Sequence, residues 1–237
     1  MAENLDLEKE KQKDLEYRKM VYEGAKSIFN AGLSQMGEGN VSVRVKKKDE
    51  MYITPSQNDY EKMTIDDVVH IKFDGTHLLS KRRASSEYLL HKAIYEARPK
   101  ANCAIHCHPK HSIVMSILGL KLPLIIEEMA FFIGGEVNVS EFAQSGEEEL
   151  GKKIIEAIGD TNAVFIRNHG LFVCGADMQY TVKLAMLIEK MSEIYLKCLE
   201  LKDIVKVQVE GLSEDKTKKW IEMFNALNRT APRIKKD

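Results

Sequence analysis

Residues 101–119 read ANCAIHCHPKHSIVMSILG. The first part, NCAIHCH, is short and β-like. Pro109 then falls at the first turn of a helix, KHSIVMSILG, where a missing backbone N–H costs nothing. A strand running straight into a helix points to an α/β fold, and it also places three histidines. Side chains alternate faces along a strand, so His106 and His108 point the same way, about 6 to 7 Å apart. That spacing lets two imidazoles converge on one cation at about 2.1 Å each. Cys107 faces the other way and is a poor ligand. Two solvated histidines on an edge strand would give the same pattern, since short motifs also match by chance. His111 lies in the first turn of the helix, where a structural or supporting role suits it better than ligation.

Working outward, the upstream chain alternates helices and hairpins. Val21, Ala25, Ile28 and Phe29 keep helical spacing, and Gly32 is placed to end that helix. GEGNVSVRV is a glycine-rich turn entering an alternating stretch, and residues 41–45 and 51–54 can pair as a hairpin. VVHIKF and THLLS flank Asp74-Gly75, a strong hairpin-turn signal. From Ser85 the pattern becomes helical, with Leu90, Ala93, Ile94 and Ala97 on one face. Downstream, GEEELGKKIIEAIG reads as a helix, and AVFI and LFVCG as strands around the turn RNHG. Asp177 can cap a long helix through Leu199, and Ser213 a last helix carrying Trp220, Ile221, Phe224 and Leu227. The closing RTAPRIKKD reads as frayed. With no repeat or flexible linker, this pattern predicts one mixed α/β domain over 1–237. Its core spans about 20–200, and a C-terminal helix and tail occupy 205–237.

Composition excludes several classes. Of 237 residues, 44% are apolar and 30% charged, as in ordinary soluble globular chains. A formal charge of -1 gives no global field to attract nucleic acid or an anionic membrane. No apolar run approaches the roughly 20 residues that span a bilayer. The charged N-terminus carries no apolar signal segment. Cys103, Cys107, Cys174 and Cys198 lack paired spacing and read as reduced thiols of a cytoplasmic protein.

A catalytic zinc site usually takes three protein ligands and keeps one position open. His169, in the tight polar turn RNHG between two apolar strands, is the best third candidate. His91 competes from within a helix, one turn after Glu87; His70 and His77 belong to an exposed hairpin. Ser85 and Ser86 sit at a helix N-terminus, where hydroxyls, N–H groups and the dipole favour an anion such as phosphate. Glu87 follows, and a simple helix cap with a dipole-favoured glutamate would look the same. GEGN and TPSQN are further loops that could wrap phosphate or be ordinary turns.

Taken in order, GEGNVSVR, YITPSQNDYEKM, SSEYLLHKAIY, AIHCHPKHS and IRNHGLFVCG resemble the class II aldolase/adducin family, particularly fuculose-phosphate-type aldolases. The likeness runs from about Tyr22 to Leu199. It implies a three-layer α/β/α sandwich around a largely antiparallel sheet. It implies a homotetramer with active sites at subunit interfaces. It implies that His106, His108 and His169 bind zinc or another divalent transition metal, and that Glu87 is the catalytic acid/base. Asn40, Ser56, Ser85 and Ser86 match the positions that cradle phosphate. Adducins share the fold without the metal site, whereas this chain keeps the HxH pair. A non-catalytic interaction module is therefore the weaker reading.

Two departures stand out. Gln57 occupies a position that is usually Gly in the family, where its side chain either crowds the phosphate or adds a contact. After the HxH helix, LPLIIEEMAFFIGGEVN lacks the tyrosine that fuculose-type aldolases offer there. Glu128 of its Glu-Met pair resembles the acid/base glutamate of methylthioribulose-phosphate dehydratases; a surface residue before an apolar strand reads as well. The implied reaction is zinc-assisted cleavage of a ketose 1-phosphate to dihydroxyacetone phosphate and an aldehyde. Glu87 would shuttle the proton of the carbanion carbon, and Glu128 is a candidate for the aldehyde side. A dehydratase, 4-epimerase or decarboxylase on the same scaffold would use nearly the same ligands.

Overall fold

A computed structural model describes residues 2–57 and 59–227; the RTAPRIKKD tail lies outside them. Eight strands are found among these residues: β1 (Asn40–Arg44), β2 (Glu50–Ile53), β3 (Val69–Lys72), β4 (His77–Leu79), β5 (Cys103–Cys107), β6 (Asn138–Val139), β7 (Ala163–Ile166) and β8 (Gly170–Gly175). They form one sheet in the order β4-β3-β2-β1-β5-β8-β7-β6, antiparallel throughout except for the β6–β7 pair. Alternation within the strands supplies the sheet with two buried faces. On one face Val41, Val43, Cys103, Ile105, Cys107, Leu171 and Val173 pack against the helices α1 (Ala2–Asn30), α3 (Lys110–Leu118), α4 (Glu127–Ile133) and α6 (Met178–Val205). On the other, Met51, Ile53, Val69, Ile71, Ala104, Phe172 and Cys174 meet α2 (Tyr88–Ala97) and α5 (Glu148–Ile158). The result is the expected α/β/α sandwich. A last helix, α7 (Glu214–Leu227), leans on α4, with Phe224 buried and Trp220 edge-on to Phe131.

Several elements differ from the sequence reading for identifiable reasons. α1 runs well upstream of its apolar stretch; its exposed turns carry ion pairs one turn apart, such as Lys19–Glu23 at 3.7 Å. The helix expected from Ser85 begins at Tyr88 with Glu87 as its N-cap, and Pro109 is the N-cap of α3 rather than its first residue. Asp177 caps α6 as expected, accepting from Tyr180 N, but α6 continues past Leu199 to Val205. The segment after Glu128, read as strand, is the short helix α4, closed by Gly134 in the left-handed region. His70 is not exposed: it is nearly buried, stacks on Tyr52 and meets Glu50 at 3.1 Å. No helix among the described residues is long and apolar enough to cross a membrane.

Candidate active site

The site grows from the middle of the sheet. Register sets Asn40 of β1 and Phe172 of β8 directly opposite His106 of β5, so all three point to the α2 face. Beyond the last pairing of β5, His108 continues on the same side, anchored by its N–H on Leu33 O at 3.0 Å. His169 arrives from the β7–β8 turn, where Asn168 adopts a positive φ of 55° and His169 N–H closes on Ile166 O. Gly170 must follow, because a Cβ there would lie 2.6 Å from Cys107 O and 3.0 Å from His108 Cδ2. Gly39, at φ 73°, is constrained likewise, since its Cβ would sit 2.5 Å from His106 O.

The three imidazoles converge as expected. His106 Nε2 is 2.9 Å from His108 Nε2 and 3.3 Å from His169 Nε2, and the three ligand atoms lie within 4.8 Å of one another. Tetrahedral ligands at about 2.05 Å from a zinc ion would be about 3.3 Å apart, so the trio fits such a metal. His106 Nδ1–H donates to Leu171 O at 3.0 Å, which leaves Nε2 free to ligate. Burial drives the His106 pKa down to about 3 and lowers that of His108, so both imidazoles stay neutral and ready to bind a cation.

Glu87 faces this cluster. Its Oε2 lies 3.5 Å from His106 Nε2 and its Oε1 3.6 Å from His169 Nε2. Asn40 Nδ2 donates to Oε2 at 2.7 Å, and Ser145 Oγ donates to Oε1 at 2.5 Å. Burial alone would raise this carboxyl. The hydrogen bonds it accepts from the Ser145 hydroxyl and the Asn40 amide outweigh that and hold it below the usual carboxylate range. As the N-cap, Glu87 makes no side-chain bond to its own helix, so the carboxylate is free to turn inward.

These groups border a cleft of about 950 Å³ that also takes in Ser56, Gln57, Ser85 and Ser86. The four residues matched to phosphate binding, Asn40, Ser56, Ser85 and Ser86, are thus brought together with Gln57, two of the histidines and Glu87. Gln57 holds a left-handed φ of 53°, a conformation that favours glycine, and its side chain is exposed at the cleft. Ser85 Oγ accepts from Glu87 N at 3.3 Å, while Ser86 remains open. No Lys or Arg is found among the described residues lining the cleft. Glu128 is exposed in the first turn of α4 and is not among the lining residues. His111 supports the site from outside: its N–H and Nδ1, with Ser112 N–H and Oγ, all bond Glu189 of α6. Ser145 gave no signal in the sequence. His91, set aside as a competing ligand, is fully buried and reaches Asn40 instead.

Comparisons with known proteins agree with this geometry. Residues 19–196 match the Class II Aldolase and Adducin N-terminal domain family. The chain is 35% identical over 193 residues to an L-fuculose phosphate aldolase of Escherichia coli O6:H1, covering 81% of this chain and 86% of that protein. It is 27% identical over 209 residues to a 5-methylthioribulose-1-phosphate/5-deoxyribulose-1-phosphate aldolase of Rhodospirillum rubrum, covering 88% and 91%. A solved L-fuculose 1-phosphate aldolase shares the fold with a TM-score of 0.82, at 24% identity over 89% of this chain and 96% of that one. The matched span reaches from α1 through most of α6 and includes every residue of the histidine cluster, and on that ground the chain belongs to the class II aldolase and adducin N-terminal domain family, as a carbon–carbon lyase of the class II aldolases.

Proposed function

We propose that the enzyme cleaves a ketose 1-phosphate of the fuculose 1-phosphate type to dihydroxyacetone phosphate and an aldehyde. The observation that carries this reading is the Glu87 carboxylate, set 3.5 and 3.6 Å from His106 and His169 and opening on a hydroxyl-rich cleft. The relatives' names support it, since they specify ketose 1-phosphates, whether fuculose or 5-deoxyribulose. His106, His108 and His169 would hold the metal, zinc by its liking for imidazole, which supplies a Lewis acid for a substrate carbonyl. Ser56, Gln57, Ser85 and Ser86 bind the phosphate by hydroxyl, amide and backbone donors and fix the substrate's orientation, while the buried Asn40 amide beside them is engaged by Glu87 and His91. Glu87 takes and returns the proton at the carbon that becomes a carbanion.

In cleavage the hydroxyl that becomes the aldehyde oxygen gives up its proton, and a second group must take it and return it in the reverse direction; Glu128 is assigned this role from a neighbouring copy. Its exposure outside the cleft of its own chain suits it to that place. Exposed apolar side chains on α3 and α6, among them Ile117, Leu118, Ile194 and Leu201, support assembly into a tetramer. The buried free thiols Cys103, Cys107 and Cys174 suit a cytoplasmic setting. The test is a panel of ketose 1-phosphates, with release of dihydroxyacetone phosphate as the readout. Turnover of a member with that product supports the aldolase; loss of water without that product replaces it with a dehydratase.

A further inference from the structure

Behind the cleft, a buried polar chain runs through the apolar layer between the sheet and α2. Tyr95 Oη lies 2.7 Å from Ser42 Oγ, and Ser42 Oγ lies 2.6 Å from His91 Nδ1. His91 Nε2 bonds Asn40 Oδ1, and Asn40 Nδ2 bonds Glu87 Oε2 at 2.7 Å. Tyr95, Ser42 and His91 are fully buried, with the Phe172 ring edge-on to His91. Buried polar groups are costly unless each is satisfied, so such a chain within an apolar layer needs a reason.

The chemistry of the links fixes the direction of every hydrogen. A carboxylate only accepts, so Asn40 must turn its NH₂ toward Glu87 and its Oδ1 toward His91. His91 must then carry its proton on Nε2, which leaves Nδ1 as an acceptor. Ser42 donates its one proton to Nδ1 and can only accept from Tyr95. Burial lowers the His91 pKa to about 4, so the ring is neutral at working pH and can serve as donor and acceptor at once. The donors all point one way, from the core to the carboxylate, and successive bonds of one polarity strengthen each other.

We propose that His91, as the neutral Nε2–H tautomer, is a positioning residue for the lyase reaction: through Asn40 it orients the Glu87 carboxylate toward the histidine cluster. The proposal rests on the aldolase reading only for what Glu87 does there; the tautomer and the relay stand independently of it. Without the Nε2–H donor, the Asn40 amide is free to turn over, and an oxygen would then face Glu87. Tyr95 and Ser42 extend the chain by fixing the imidazole's proton on the correct nitrogen.

The first test needs no substrate. In metal-loaded protein with ¹⁵N-labelled histidine, long-range nitrogen–proton correlation should show the His91 ring protonated at Nε2 and bare at Nδ1. His91→Phe identifies the resonance. A ring protonated at Nδ1, or at both nitrogens at neutral pH, overturns the proposal. The second test uses L-fuculose 1-phosphate. Gln can place an amide donor near the position of Nε2, whereas Phe keeps the ring volume and offers none. His91→Phe should lower kcat by about 10- to 100-fold, the usual weight of a residue that orients a reacting group, with KM within about 3-fold. His91→Gln should recover most of kcat. Equal losses in both variants with unchanged folded signal, or a loss confined to KM, overturns the positioning role. If wild-type enzyme leaves every ketose 1-phosphate intact, the aldolase reading fails while the nitrogen spectrum still decides the relay.

Discussion

The two oxygens of Glu87 are engaged separately, Oε2 by Asn40 and Oε1 by Ser145, and each also faces an imidazole. An amide in its place would turn an NH₂ toward one of those donors. Glu87→Gln should therefore lower turnover by roughly 100-fold or more, the weight of general acid–base catalysis. It should also stop exchange of the carbanion-carbon proton of dihydroxyacetone phosphate, followed by NMR in deuterated water. Glu128→Gln should slow full cleavage yet spare that half-exchange, because no aldehyde takes part; the opposite pattern would exchange the two roles. The ligand assignment is checked by elemental analysis. Joint replacement of His106 and His108 by Ala should remove stoichiometric metal, and a variant that keeps it would relocate the site. At this scale the sequence exposed the residues that carry recognisable chemistry in short motifs. It did not expose Ser145, a serine in an acidic loop joined to Glu87 only by folding. The signal for His91 was present: Glu87, His91 and Tyr95 recur every four residues, a polar stripe beside the apolar Leu90 and Ile94.

Elements hold the histidines through their ends. α3 starts two residues after His108, and its first turn is tied by one carboxylate, Glu189, which accepts from two backbone N–H groups and two side chains at 2.8 to 2.9 Å. Glu189→Ala would leave those donors bare and loosen the strand-to-helix junction. It should cost about 1–3 kcal/mol in denaturant unfolding and weaken metal affinity, measured by competition with a chelator. Unchanged affinity would confine Glu189 to stability alone. Seven of the eight strands found among the described residues were legible because alternation and short apolar runs are local signals, and the Asp74-Gly75 turn sits where expected, with Gly75 at φ 88°; the two-residue β6 (Asn138–Val139) was not, being too short to carry a pattern. α4 was not, since its seven residues include a run of apolar side chains that fits a short strand as well as a helix. Its identity is decided by packing, with Met129, Ala130 and Ile133 turned into the core.

Across the whole molecule, buried neutral histidines tie stability to pH. His91 titrates near 6.5 in an exposed state but at about 4 when folded, so between those values the unfolded chain binds more protons. Its contribution is fully present above about pH 6.5 and is lost as pH falls toward 4, amounting to roughly 3 kcal/mol. Unfolding free energies across that window should rise with pH, and His91→Gln should reduce the slope by about one proton. An unchanged slope would place the acid sensitivity elsewhere.

The order of the sheet has a consequence for how the enzyme is made. β5 and β8 are neighbours in space, yet His106 and His169 are 63 residues apart in the chain. Closing a loop of that length costs about 4 kcal/mol in chain entropy. A nascent or unfolded chain therefore offers a cation no preformed three-histidine site, and His169 joins His106 and His108 only once the centre of the sheet has zipped shut. The ion acts as a latch on a long-range contact, tightening native structure that already exists and giving little help to earlier states. Cobalt supplied during refolding should accordingly develop its tetrahedral absorption in step with the final appearance of native structure, and not before it.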